Sequence, residues 1–97
     1  MLNVPALVPP TYLYHGTAVR NLDEIFAKGL NPGRRRQVHL SRDAEVAVLV
    51  GRRHGKPAVL RVDAAAMHAD GHCFFKVDNG VWLTDQVPAS YLGFGSS

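Results

Sequence analysis

The spacing of apolar positions along this 97-residue chain changes period several times, and each change marks an element. Tyr12-Leu13-Tyr14 is an aromatic and aliphatic run that predicts a strand from Tyr12 to His15, closed by His15-Gly16-Thr17. The pattern then becomes helical. Leu22, Ile25, Phe26 and Leu30 stand at i, i+3, i+4 and i+8, which predicts a helix from about Val19 to Lys28. Asp23 and Glu24 near its start and Lys28 near its end complement the macrodipole. Gly29 supplies a left-handed stop, and Pro32 bars continuation. After a basic loop over 33–37, Val38 to Leu40 reads as a second strand. Ser41 or Asp43 can cap a second helix that turns Ala44, Ala47 and Val50 or Val46 inward and runs out at His54-Gly55.

Ala58 to Val62 predicts a third strand with Arg61 on its wet face, and the alanine-rich Asp63 to His68 a single turn or short helix. Cys73 to Val77 and Val81 to Thr84 read as a hairpin about Asp78-Asn79-Gly80, because Asn-Gly takes the positive φ of a tight turn. In the tail, Asp85 to Ser97, the residues Tyr91, Leu92 and Phe94 can pack back. At the other end Pro5, Pro9 and Pro10 keep the backbone extended. Two helices among five or six short strands define an α+β domain over 12–97, preceded by a linker stub over 1–11.

Composition narrows the function. Hydrophobic residues make up 46% and charged residues 20%, a balance that suits a folded domain and excludes a disordered chain. The net charge is +3, and three of the eleven cations are the consecutive Arg34, Arg35 and Arg36. Such a surface suits an anionic ligand, a nucleotide or RNA. Cys73 is the only cysteine, which excludes an internal disulfide and fits a reducing compartment. Within Cys73-Phe74-Phe75 it is expected to behave as a small hydrophobe. Met1 to Pro10 lacks the basic region of a signal peptide, and Ala44 to Val50 is too short to cross a bilayer. A cytoplasmic location without a membrane partner is the expectation.

His15-Gly16-Thr17 offers an imidazole, a bare stretch of backbone and a hydroxyl at the end of a strand. That set can hold a bound group by directional hydrogen bonds at close approach, or serve only as a capped turn. Val38-His39-Leu40-Ser41 repeats the idea. Gly51-Arg52-Arg53-His54-Gly55-Lys56-Pro57 fails as a P-loop: its glycines are one residue too close, Pro57 stands where a hydroxyl is needed, and a strand follows. It reads as a cationic helix end whose guanidiniums can fork onto phosphate or face solvent. His68, His72 and Cys73 lie close together, but Asp70-Gly71 breaks the helix that would align them, so no metal site is expected. There is no carboxylate pair and no nucleophile elbow. Imidazoles, hydroxyls and arginines remain, and these bind anions.

Four motifs in order, Leu-Tyr-His-Gly-Thr at 13–17, Val-His-Leu-Ser at 38–41, Gly-Arg-Arg-His-Gly-Lys-Pro at 51–57 and Asn-Gly-Val-Trp-Leu-Thr-Asp at 79–85, give the chain its familiar outline. It resembles the RNA 2′-phosphotransferase family, NAD-dependent enzymes that remove a splice-junction 2′-phosphate from tRNA. The resemblance implies an ADP-ribosyltransferase-like fold in which two small sheets pinch NAD. By the same resemblance His15, Gly16 and Thr17 hold the nicotinamide-side ribose and amide, and His39 and Ser41 line the same cleft. Val81 stands where many protein ADP-ribosyltransferases carry a glutamate. Arg53 is the implied catalytic residue, and Arg35 the implied phosphate contact. Nicotinamide and ADP-ribose 1″,2″-cyclic phosphate are the implied products. Family members carry an N-terminal RNA-binding lobe ahead of this region, so the resemblance implies an NAD-binding lobe that is incomplete alone, or a short relative that has lost RNA 2′-phosphate turnover; a monomer is the expectation. A free-standing ADP-ribosyltransferase and a non-catalytic NAD or ADP-ribose module are the alternatives.

Overall fold

The computed structural model describes residues 5–77 and 79–95. Its first strand, β1 (Tyr12–Ala18), runs three residues beyond the expected end at His15. The reason is tertiary. β3 (Pro57–Asp63) pairs antiparallel with β1 along its whole length, from Tyr12 opposite Asp63 to Ala18 opposite Pro57, and this ladder carries the chain through Gly16. The tail packs back as expected: β6 (Leu92–Phe94) pairs with β3 and completes a three-stranded sheet in the order β1-β3-β6. Arg61 does face outward, and its guanidinium stacks 4.5 Å from the Tyr12 ring centre.

The second sheet has the order β2-β5-β4, from β2 (Val38–Leu40), β5 (Trp82–Thr84) and β4 (Phe75–Lys76). Beyond the β4–β5 pairing, the Val77 amide donates to the Val81 carbonyl at 3.0 Å. Of the expected turn, Asp78 lies outside the described residues, while Gly80 has φ +80. Cys73 departs from expectation. Phe74 points into the core, so Cys73 and Phe75, one position to either side, face the other way, and the thiol is exposed.

Among the described residues three α-helices accompany the sheets, the third over the stretch expected as a single turn or short helix. A 3₁₀ turn over Val19–Asn21 leads into α1 (Leu22–Lys28), whose Leu22, Ile25 and Phe26 pack on the core. Gly29 ends it with φ +80. Leu30 and Val87 then exchange backbone hydrogen bonds of 2.8 and 2.9 Å. α2 (Ala44–Arg52) buries Ala47 and Gly51, leaves Val46 and Leu49 exposed, and has Asp43 at its N-cap without a side-chain bond. The third, α3 (Ala64–Ala69), begins where the Asp63 carboxylate accepts from the Ala66 amide at 3.3 Å. Leu13, Leu40, Leu60, Val62, Met67 and Phe74 form the centre of the core. Full burial of such side chains is worth about 1.5–3 kcal/mol each. Ahead of β1, Pro9 is buried and the Leu7 amide donates to the Phe74 carbonyl at 2.8 Å.

Two contacts join these pieces where a ligand could sit. Tyr14 of β1 and Ser41, just beyond β2, exchange backbone hydrogen bonds of 2.8 Å, stitching one sheet to the other. On the opposite face of β1, α2 lies directly on the strand. A Cβ on Gly16 would stand 1.8 Å from the Ala47 carbonyl oxygen, and one on Gly51 would stand 2.6 Å from that of Thr17. Backbone cannot retreat from such a clash as a side chain can. Gly16→Ala is therefore expected to lose about 3 kcal/mol or more in urea denaturation. Gly93→Ala meets nothing closer than the Arg61 guanidinium at 3.8 Å and is expected to stay within about 0.5 kcal/mol. Equal stabilities for the two variants would refute the close packing.

Candidate functional site

Side chains alternate across β1, so Gly16 meets α2 while its neighbours His15 and Thr17 turn to the other face. They open onto a cleft of about 260 Å³, with Asn21, Arg35, His39 and His54 among its walls. A second hollow of about 330 Å³ shares His15, Asn21 and Asn31 with it and extends toward Lys28 and Gly33. Together they form one groove between β1, the loop before β2 and the end of α2.

The junction between the sheets sets the imidazoles. Pairing Tyr14 with Ser41 lays His15 beside β2, and His15 Nδ1 lies 3.1 Å from the His39 carbonyl oxygen. His39 Nδ1 in turn lies 3.1 Å from the Gln37 carbonyl oxygen. A carbonyl only accepts, so in both rings Nδ1 carries the proton and donates. Nε2 is left with its lone pair in the neutral ring. Burial pushes the His15 imidazole below its ordinary pKa of 6.5; the bond to the His39 carbonyl opposes the shift, and the nearby His54 and His39 rings add to it. His15 thus presents a neutral acceptor at pH 7.

The remaining walls are held by local bonds. The Asn21 amide donates to Thr17 Oγ1 at 3.3 Å, across one turn of chain. Arg20 donates to the His54 carbonyl and fixes the loop that follows α2. Arg35 stands in the loop over 33–37 with its amide bonded to the Pro32 carbonyl at 3.0 Å, while its guanidinium is exposed at the groove.

Of the residues singled out from the sequence, the structure brings together His15, Gly16, Thr17, His39 and Arg35. It sets three apart. Ser41 and Val81 line a separate cavity of about 250 Å³, bounded by Val46 and Trp82. Ser41 serves the groove through its backbone. Arg53 is exposed at the C-cap of α2, outside the groove walls, and Arg52 beside it is exposed as well. The wall position belongs instead to His54, one residue on. Asn21, Asn31 and His54 were not singled out beforehand. An asparagine four residues after a strand threonine is a usable signal for Asn21; no local pattern marks Asn31.

An α+β fold with imidazole acceptors, amides and an arginine around one groove suits a hydroxyl-rich anionic ligand. Comparison with known proteins gives this class a family. Residues 2–86 match the model of the family described as RNA 2′-phosphotransferase, Tpt1 / KptA family, and the chain belongs to that family. A probable RNA 2′-phosphotransferase of Agrobacterium fabrum is 59% identical over 91 residues, covering 94% of this chain and 49% of that protein. One from Streptomyces coelicolor is 57% identical over 93 residues, 96% of this chain and 51% of its own. One from Burkholderia lata is 59% identical over 88 residues, with 91% and 45% covered. The chain thus spans about half the length of the curated relatives it matches.

The lowered His15 pKa fixes the sign of a pH effect. Between the folded value and 6.5 the unfolded chain binds more protons, so stability falls as pH drops from about 6.5 through the folded pKa and is flat above. Imidazole NMR titration is expected to give His15 a midpoint below 6.5, and His15→Gln to remove that part of the acid loss. A midpoint at or above 6.5 would contradict the burial.

Proposed function

We propose that this chain is the NAD-binding half of an RNA 2′-phosphotransferase, with an ADP-ribosyltransferase-like arrangement of its two sheets. The enzyme would move the splice-junction 2′-phosphate of tRNA onto NAD, giving nicotinamide and ADP-ribose 1″,2″-cyclic phosphate. The observation that carries this reading is the convergence of His15, its Nδ1 bonded to the His39 carbonyl, with His39 and Arg35 on one groove. Family membership and the half-length match to relatives named probable RNA 2′-phosphotransferases support it.

The groove's donor set fits NAD. Ribose hydroxyls can donate to the Nε2 atoms of His15 and His39, amides of Asn21 and Asn31 can meet carboxamide or hydroxyl groups, and the Arg35 fork suits a pyrophosphate. When bound, NAD supplies an electrophilic ribose carbon and nicotinamide as its leaving group. Everything else falls to positioning. Thr17 and Asn21 hold one wall, and Gly16 keeps the strand flush against α2 so that His15 stays in place. Arg53, exposed at the rim one residue before His54, would meet a phosphate arriving from solvent and hold its charge as bonds change. A 2′-phosphate is largely dianionic near neutral pH and needs no base to become nucleophilic. A valine at position 81 therefore costs this reaction nothing.

Calorimetric titration of the 97-residue chain is expected to show NAD binding more tightly than ATP, weakened on the order of tenfold in His15→Ala. ATP binding as tightly as NAD would overturn the reading. A second expectation concerns the rim arginines, with the chain joined to the N-terminal half of the Agrobacterium relative. Arg53→Ala should slow 2′-phosphate removal from RNA by about a hundredfold, the usual effect of losing one transition-state charge contact. Arg52→Ala should leave the rate close to that of the parent. Similar rates for the two variants would remove Arg53 from the catalytic role.

A further inference from the structure

A further cavity lies on the outer face of the second sheet, and most of its walls, Phe75, Leu83, Cys73, Arg36 and Asp85, lie outside the groove assigned to NAD. His39, Leu83 and Phe75 are direct cross-strand partners in β2, β5 and β4, so their side chains form a row on one face of the sheet. That row floors a cavity of about 710 Å³. Leu83 and the half-buried Phe75 make the floor apolar, Arg36 and Asp85 stand at its edges, and the exposed Cys73 lies beside Phe75. Gln37 donates from Nε2 to Asp85 Oδ1 at 3.3 Å, which holds its amide across one end.

Two of these residues are shared. His39 and Gln37 wall both this cavity and the groove that holds His15. The two hollows therefore adjoin at His39 and Gln37, while Phe75 lies two strands, about 10 Å, beyond His39, within reach of the next nucleotide of an extended strand. An aromatic ring on an apolar floor accepts the flat face of a nucleobase, and stacking of this kind tolerates any base. The Gln37 amide and the Asp85 carboxylate offer donors and acceptors to a base edge. Arg36, the last of three consecutive exposed arginines, offers a fork to a phosphate. The charge complementarity is with a polyanion: the chain carries +3, and the 34–36 run borders the floor and the groove alike.

We propose that this cavity seats an unpaired base of the RNA partner, stacked on Phe75, while the adjoining 2′-phosphorylated nucleotide enters the groove. The inference rests on the RNA 2′-phosphotransferase reading and adds to it where the RNA lies. A base buried here must leave its own stack, so single-stranded RNA or a loop is the form that fits. The adenine of the dinucleotide has the same stacking chemistry, and the experiment separates the two sources.

Cys73 reports on occupancy because it is the single thiol of the chain and borders the floor. Its alkylation by N-ethylmaleimide, followed by mass spectrometry, gives one rate for the free chain, one with NAD and one with a single-stranded oligonucleotide bearing an internal 2′-phosphate. The oligonucleotide is expected to slow the reaction about tenfold, in keeping with one stacked base, and NAD to leave it unchanged. Phe75→Leu keeps an apolar floor without the aromatic face. It is expected to lose the protection by RNA and to keep the heat of NAD binding. Protection by NAD equal to that by RNA, an unchanged rate with RNA, or full protection in Phe75→Leu would each overturn the proposal. Absence of a heat with NAD condemns the NAD reading, whereas a heat with NAD and no protection by RNA condemns this one alone.

Discussion

Gly16 lets the backbone of α2 lie against the backbone of β1, with no side chain between them on either partner. That contact settles which way the strand faces. With Gly16 committed to the helix, the alternation of the strand leaves His15 and Thr17 no direction but the groove. The same contact brings the end of α2, and with it His54, to the groove's wall. Three consecutive residues thus divide two tasks: the middle one packs against the helix and its neighbours face the groove.

The second constraint is the pair of backbone bonds between Tyr14 and Ser41. Neither sheet is large, and each has only three strands. Their joint holds the His15 ring against the β2 backbone, where the His39 carbonyl fixes its proton on Nδ1. Burial then keeps the ring neutral. The acceptor at Nε2 is therefore a product of register and burial together, and a slip of one residue at the joint would turn His15 and His39 away from each other. His39 also belongs to the larger cavity over Leu83 and Phe75, so the same register ties the two sites to a common wall.

Much of this was legible in the sequence because it rests on local signals. The i, i+3, i+4 spacing of Leu22, Ile25 and Phe26 marked the packed face of α1, and Gly29 marked its end at positive φ. Val38 to Leu40 matched β2 to the residue. Long-range pairing was the part that stayed hidden. β1 continued through Gly16 to Ala18 because β3 was there to pair with it, and the glycine, which borders the groove, also lies flush against α2, a packing role its sequence context did not show. Cys73 lay in an apolar run, yet the segment leading into β4 turns Phe74 to the interior and leaves the thiol outside. Ser41 and Arg53 were read as side chains at the cleft. The structure uses the backbone of the first and leaves the second exposed at the C-cap of α2, outside the groove walls, distinctions that depend on register and helix phase and not on residue type.

The most direct measurement is the tautomer of the two imidazoles, read by ¹⁵N NMR of the 97-residue chain above pH 7 and then with NAD added. With the sheet joint and the groove as described, His15 and His39 both carry their proton on Nδ1, and the Nε2 resonance of His15 shifts on titration with NAD while its Nδ1 proton stays in place. A proton on Nε2 of His15, or an Nε2 resonance indifferent to saturating NAD, would contradict the central claim that packing of Gly16 and pairing at Ser41 exist to present that nitrogen to a ligand.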